Sequence, residues 1–318
     1  MSVEFCGLTL AHPVINGSGT FDAIAARRAF GEQLRERFPF AAYVSKTITL
    51  EPRAGNPPPR LWEAPAGLIN SIGLPNKGLY DYVREDLPAL GEIGIGARPG
   101  AGGTDPSVPL ITNVMGASAE ELAQLLEVCN ERTEIAALEL NVSCPNVKTG
   151  LDIGADPRQL EAVVSAVRGR TDKPLIVKLT PNTADVPDCA LAAEHGGADA
   201  VSLINTLRAT ALAPRRSPGG SERWLGGGSG GLSGPAIRPV ALAQVAAVAA
   251  RVKIPVIGMG GVQSAAHARD LLDVGATLVA VGTESFRDPT VAARIARELA
   301  RGVPAGEPIG AAREDSGA

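Results

Sequence analysis

Ile135-Ala136-Ala137-Leu138-Glu139-Leu140-Asn141-Val142-Ser143-Cys144-Pro145-Asn146-Val147-Lys148-Thr149-Gly150 is followed by Asp156-Pro157, and this stretch decides the fold. Its first six residues form a short apolar run that reads as a strand. Asp156-Pro157 opens a helix, with Asp as N-cap and Pro at the first helical position. The Asn-x-Ser-Cys-Pro-Asn segment therefore lies on a strand-to-helix loop, where barrel and doubly wound enzymes place their chemistry. Two Asn amides can donate to and accept from a planar heterocycle, and a thiol between them can exchange a proton. Cysteine is also a common inert hydrophobe, and Pro-Asn is ordinary turn chemistry. The rest of the chain has to decide between these readings.

With 318 residues and 45% hydrophobic content, the chain can bury the core of one large α/β barrel or of two modest domains. A net charge of −4 with no Lys/Arg block argues against a nucleic-acid surface. No apolar run approaches the roughly 18 residues of a membrane span. Met1-Ser2-Val3-Glu4 has neither a basic n-region nor an apolar h-region, so no secretory signal is expected. The four cysteines, Cys6, Cys129, Cys144 and Cys189, form no CxxC pair. That pattern speaks against a metal or iron–sulfur site on this chain, and for reduced thiols in the cytoplasm.

Outward from the deciding stretch, short Val/Ile/Leu runs alternate with helical patterns. Strands are expected at Pro13–Asn16, Ala41–Ser45, Leu110–Val114, Ile135–Leu140, Leu175–Leu179, Ala200–Ile204, Pro255–Gly258 and Leu278–Val281. Such runs suit parallel strands buried on both faces. Ser118-Ala-Glu-Glu121 reads as a capping box opening a helix over Glu120–Arg132. Further helices are expected at Asn76–Leu87, Pro157–Arg168, Pro187–His195, Pro239–Val252, Ala265–Val274 and Val291–Arg301. Eight strands with helical crossovers predict an α/β fold, a (β/α)8 TIM barrel. Two connections, Leu50–Pro109 and Leu207–Gly234, are too long for simple crossovers and predict inserted loops at the C-terminal face. The second is a candidate lid. Residues 1–302 read as a single domain and 303–318 as a loose tail.

The C-terminal ends of the strands carry polar or glycine signals throughout: Ser18, Lys46-Thr47, Asn113, Asn141, Lys178, Asn205-Thr206, Gly260-Gly261 and Gly282-Thr283. Lys178 stands inside Leu175-Ile176-Val177-Lys178-Leu179, where an unpaired ammonium would cost several kcal/mol. With Lys46 it calls for something anionic or electron-rich at the barrel mouth. Gly260-Gly261 and Gly282-Thr283 follow the last two strands, where barrels hold phosphate through backbone N–H groups. Gly230-Gly231-Leu232-Ser233-Gly234 is read as a third set of such donors. No GxGxxG follows a strand, which argues against a nicotinamide site of the Rossmann kind.

From about Leu10 to Arg301 the chain resembles the class 1 dihydroorotate dehydrogenases. The likeness is carried by Gly17-Ser-Gly-Thr-Phe21, Lys46-Thr47, Glu51-Pro-Arg-Ala-Gly-Asn-Pro57 and Asn70-Ser-Ile-Gly-Leu-Pro-Asn76. The Asn-x-Ser-Cys-Pro-Asn loop, Val177-Lys178-Leu179, Ile204-Asn205-Thr206 and Gly230–Ile237 continue it in order. Cys144 stands where the class 2 enzymes use Ser. Asn205-Thr206 and Gly-Gly-Leu-Ser-Gly-Pro-Ala-Ile resemble the class 1B, NAD+-linked catalytic subunits rather than the fumarate-using 1A homodimers. Dihydropyrimidine dehydrogenases share the loop but typically have His at the position of Asn146. A longer Gly91–Ser107 segment is the departure from the family pattern.

The resemblance implies FMN as cofactor, dihydroorotate and orotate as ligands, and an FAD/iron–sulfur electron-transfer partner built on a homodimeric core. It implies Cys144 as the base and Lys178 as the charge that stabilises reduced flavin. Lys46, Asn70, Ser71, Ile72, Gly73, Leu74, Asn141, Asn146, Asn205 and Thr206 would meet the substrate. Ser18, Lys46, Thr47, Asn113, Asn141, Lys178 and Ile204 would meet the flavin and ribityl chain, and Gly234, Gly260, Gly261, Gly282 and Thr283 the phosphate. A flavin-binding scaffold without catalysis is the alternative of a different class, and the intact Cys144 and Lys178 speak against it.

Overall fold

The computed structural model describes residues 2–96, 108–142, 153–213 and 222–302. A hairpin comes first, β1 (Val3–Phe5) paired antiparallel with β2 (Leu8–Leu10). Its two-residue turn, Cys6-Gly7, has φ of 48° and 79°. Positive φ at both turn positions is the geometry that matches the twist of paired strands.

The remaining strands are β3 (Val14–Asn16), β4 (Tyr43–Val44), β5 (Leu61–Ala64), β6 (Gly67–Asn70), β7 (Leu110–Val114) and β8 (Ile135–Asn141). They continue with β9 (Leu175–Lys178), β10 (Ala200–Leu203), β11 (Leu207–Ala209), β12 (Gly230–Ser233), β13 (Val256–Met259) and β14 (Leu278–Val281). Eight of these form one parallel sheet in the order β3-β14-β13-β10-β9-β8-β7-β4. The ring closes between β3 and β4 through a side chain. Asn16 donates from Nδ2 to the Val44 carbonyl (2.7 Å) and accepts from the Val44 N–H on Oδ1 (2.8 Å). Ala41 N–H adds a bond to the Val14 carbonyl at 3.0 Å. The buried Asn16 amide thus replaces the missing rungs of the ladder, and the sheet is a (β/α)8 barrel.

Helices follow the strands as the pattern predicts, and several of their starts are capped by side chains. Ser118 caps the helix Ala119–Asn130, Asp156 caps Pro157–Arg168, Asp185 caps Val186–His195 and Ser264 caps Ala265–Asp273. Each cap side chain accepts a bond from a first-turn N–H. Glu121 bonds the Ala117 N–H (2.9 Å) rather than closing a strict capping box on Ser118. Two apolar zones result. One lies between strands and helices, and the other fills the barrel itself, with Phe5, Leu10, Ile15, Ile111, Ile176, Ile257 and Leu278.

Strand boundaries fall within about two residues of the expected ones, inside the usual fraying of element ends. Three features differ from the sequence reading. The β1–β2 hairpin and the helix Ala23–Phe30 were not anticipated, being short and weakly patterned. The helical run predicted at Asn76–Leu87 occupies 79–91, with a π-type middle turn over Tyr82–Asp86. The two long connections are not simple loops. Each contributes two strands to a single antiparallel sheet in the order β11-β12-β6-β5. Gly230 and Gly231 belong to that ladder, opposite Ala209 and Arg208, so they are sheet residues rather than phosphate donors. Glycine is required there by contact. A Cβ on Gly231 would lie 1.8 Å from Thr206 Oγ1, and one on Gly230 would lie 2.2 Å from the Asn70 carbonyl. The expected tail at 303–318 and most of the Gly91–Ser107 segment lie outside the described residues.

Candidate active site

A cavity of about 390 Å³ opens at the C-terminal ends of the barrel strands, with the antiparallel sheet as one wall. This is the size range of small-molecule and cofactor sites. Among the predicted residues, Ser18, Lys46, Thr47, Asn70, Ile72, Gly73 and Leu74 line it. So do Asn141, Lys178, Ile204, Asn205, Thr206, Gly234, Gly260, Gly261, Gly282 and Thr283. Two predicted residues sit behind the wall instead. Ser71 is fully buried, donates to the Ser229 carbonyl (2.7 Å) and accepts from Asn56 Nδ2 (3.1 Å), which ties the two long connections together. Asn113 is also fully buried, beneath the floor. Cys144 and Asn146 lie outside the described residues.

The floor is polar because inward-facing positions at the ends of β8 and β9 hold Asn141 and Lys178, opposite each other in register. Asn141 Nδ2 donates to Thr47 Oγ1 at 3.4 Å, and Ser18 Oγ donates to the Ser45 carbonyl at 2.8 Å. Lys178 is only 5% exposed, and among the described residues its ammonium makes no ion pair or hydrogen bond. A buried cation in that state calls for an electron-rich neighbour in the cavity. Lys46 lines the same cavity from an exposed position.

The opposite end is built from backbone. Gly234, Gly260 and Gly261 adopt φ of 93°, 135° and 69°, which side-chain-bearing residues rarely take. A Cβ on Gly261 would lie 2.7 Å from Arg238 Cβ, and one on Gly260 would lie 2.6 Å from Ala241 Cβ. Gly234 leads into Pro235–Ile237 and the helix Arg238–Ala249, and Gly260 and Gly261 pack against the first turns of that helix, an arrangement suited to an anion. Thr283 Oγ1 donates to Ser233 Oγ at 2.9 Å, joining the last barrel turn to the sheet wall.

The side wall is held by bonds between the two long connections and among the strand-end turns beside them. Asn70 Nδ2 donates to the Gly231 carbonyl (3.2 Å), and Asn182 Nδ2 to the Thr206 carbonyl (3.0 Å). Asn205 Oδ1 accepts from the Thr206 N–H at 2.9 Å. The described residues on either side of the Cys144 segment meet each other, with the Gly154 N–H bonding the Val142 carbonyl at 3.1 Å.

Sequence reasoning assigned no role to several lining residues, among them Thr20, Met259, Gln263, Glu284 and Phe286. Gln263 Nε2 donates to Glu284 Oε2 at 2.6 Å across two strand-end turns. Nothing in the local sequence announces that pairing, which only the fold creates. Glu139 was read only as part of a strand, although it is a charged residue inside an apolar run.

The dihydroorotate dehydrogenase family model matches residues 1–303. The chain belongs to the dihydroorotate dehydrogenase family. It is therefore an oxidoreductase of a flavin-dependent family, with a part in pyrimidine biosynthesis. Relatives in this family include the dihydroorotate dehydrogenase B (NAD(+)) catalytic subunit of Geobacter sulfurreducens, 42% identical over 306 residues. That alignment covers 95% of this chain and 92% of the relative. The protein of the same name from Desulforudis audaxviator is 44% identical over 303 residues, covering 94% and 91%. The one from Trichlorobacter lovleyi is 43% identical over 304 residues, covering 94% and 92%. The class 1B reading of Asn205-Thr206 and Gly230–Ile237 agrees with those names. No helix among the described residues is long and apolar enough to cross a membrane.

Proposed function

We propose that this chain is an FMN-dependent catalytic subunit that oxidises (S)-dihydroorotate to orotate and passes the electrons to a partner subunit and NAD+. The observation that carries the reading is the cavity itself. It joins a buried Lys178 ammonium, unpaired among the described residues, and an amide-lined floor to a glycine cradle at the far end. The residues present fit FMN: the cradle suits a phosphate, and Lys178 suits the electron-rich edge of a flavin.

FMN supplies the acceptor for the hydride that leaves C6 of the substrate. The chain's residues do the rest. Cys144 takes the proton from C5, which is acidified by the neighbouring carbonyl. Lys178 would hold positive charge beside the flavin, offsetting the negative charge that reduction adds. Lys46 balances the substrate carboxylate, and Asn70, Asn141, Asn146 and Asn205 orient the pyrimidine edge by hydrogen bonds. Ser18 and Thr47 hold the flavin side, and Gly234, Gly260, Gly261, Gly282 and Thr283 hold the phosphate through backbone.

The test is anaerobic titration of the purified, yellow protein with dihydroorotate. Bleaching of the flavin band is expected, with orotate as product. A colourless protein, or a yellow one that dithionite bleaches and dihydroorotate does not, would overturn the proposal. The partner is tested by turnover of the isolated chain, which should reduce artificial acceptors but not NAD+. Brisk turnover with fumarate would instead make it a class 1A enzyme.

A further inference from the structure

Among the described residues, only two charged side chains are fully buried: Lys178, and Glu139 at 2% exposure. Glu139 lies two residues before Asn141 on β8, so it faces the barrel interior one layer below the cavity floor. Both of its oxygens accept hydrogen bonds. Asn113 on β7, its register partner, donates from Nδ2 to Oε2 at 2.5 Å, and Ser202 on β10 donates to Oε1 at 2.7 Å. Ser202 is in turn the register partner of Lys178 on β9. The buried anion and the buried cation thus sit at the same end of the barrel, linked through Ser202's strand, yet they form no direct ion pair. The ammonium remains available to the cavity.

Two consequences follow from elementary chemistry. An ionised carboxylate can only accept, so it fixes the Asn113 amide with Nδ2 toward Glu139 and Oδ1 away from it. That Oδ1 is buried and has no hydrogen-bond partner among the described residues. Moreover, a buried carboxylate lacking a contacting cation is costly unless a positive charge stands nearby, and Lys178 is the buried one.

We propose that Glu139 is a positioning residue: an ionised carboxylate that orients the Asn113 amide and offsets the Lys178 charge, and so sets the reduction potential of the bound flavin. This rests on the flavin reading above. With Glu139 in place, the stabilisation that Lys178 gives to reduced flavin is partly cancelled. Removing the carboxylate leaves Lys178 unopposed and makes the flavin easier to reduce.

The test compares Glu139→Gln, Glu139→Asp and the parent holoenzyme by equilibrium reduction against a reference dye, with oxidised FMN titrated into each apoprotein. Glu139→Gln keeps the shape and removes the charge. It should favour reduced over oxidised flavin about tenfold more than the parent does, a rise of about 30 mV for a two-electron couple. Glu139→Asp keeps the charge and should return most of the way to the parent potential. If Glu139→Gln does not fold, Glu139→Ala leaves room for water to satisfy Asn113 and Ser202, and the same shift is expected. An unchanged potential in the neutral variant, or an equal shift in Glu139→Asp, would overturn the proposal while leaving the flavin reading intact. A parent protein that binds no FMN would overturn both.

Discussion

The two ends of the barrel are made from the same strands and behave as different materials. At the lower end Ile111, Ala137, Ile176 and Ala200 pack with Phe5 and Leu10 of the β1–β2 hairpin, which plugs the opening. Two residues further along the same strands, the inward positions are Asn113, Glu139, Lys178 and Ser202, all buried. One step of the period-2 alternation turns a dry core into a charged, hydrogen-bonded platform. The lower layer contributes free energy to the fold, and the upper layer spends some of it on holding charge away from water. The division implies that stability and chemistry can be perturbed separately.

The largest expected effect is on the lower end. Phe5 is 1% exposed and fills the plug, so Phe5→Ala should cost about 3–5 kcal/mol of stability, the usual loss for a buried aromatic. Denaturant unfolding measures the loss. Flavin reduction by dihydroorotate, measured by stopped flow on the folded fraction, should be unchanged. If rate falls with stability, the two ends are coupled and the comparison fails.

The cysteines sharpen the same contrast. At the lower end, burial and the nearby Asp199 charge push the Cys6 thiol up to about 11. Burial pushes Cys129 up to about 12 and Cys189 upward as well. A raised thiol pKa disfavours thiolate, the reactive form, so at pH 8 roughly one Cys6 in a thousand is ionised, against about a quarter for an ordinary thiol. Iodoacetamide at pH 8 should therefore label Cys144 first, and orotate should slow that labelling. Peptide mapping decides it. Prior labelling of Cys6 would mean that the lower end opens readily.

On the proposed function, Cys144→Ala should retain FMN and slow flavin reduction at least ~100-fold, the weight of a general base. Its unfolding midpoint should match the parent's, the mirror image of Phe5→Ala. Cys144→Ser should keep some activity, displaced to higher pH, because a hydroxyl is a much weaker acid than a thiol. Near-normal reduction in Cys144→Ala would remove the thiol from the mechanism.

How much of this could be read beforehand follows from how local each cause is. The barrel strands are legible because burial on both faces demands unbroken apolar runs, and their helices because Asp156-Pro157 and Ser118-Ala-Glu-Glu121 cap in place. Lys178 stands out because an ammonium inside Leu-Ile-Val-x-Leu is out of keeping with its neighbours. By contrast, the sheet wall depends on pairing between connections over 150 residues apart, such as Gly231 opposite Asn70, which no local pattern encodes. The role of Asn16 in closing the ring is equally invisible, since any Asn after a strand reads as a turn residue. Glu139 looks like a strand residue until β7 and β10 bring Asn113 and Ser202 to its oxygens.

The smallest effect concerns the rim where the two materials meet. Asp156 accepts from the N–H groups of Arg158 (2.9 Å) and Gln159 (3.3 Å), capping the helix that follows the Cys144 segment. The turn just before it is anchored twice, by the Gly154 bond to Val142 and by Thr183 Oγ1 donating to the Ala155 carbonyl at 2.8 Å. Asp185 caps the next helix in the same way, accepting from the Asp188 N–H at 3.0 Å. Asp156→Ala and Asp185→Ala should each cost about 1 kcal/mol of stability, the usual value of an N-cap. Only Asp156→Ala should also slow flavin reduction, because only its turn borders in sequence the segment that holds Cys144, the proposed base. Equal slowing in both variants would mean that the rim acts as one unit, and that the boundary between scaffold and chemistry lies below the caps rather than between them.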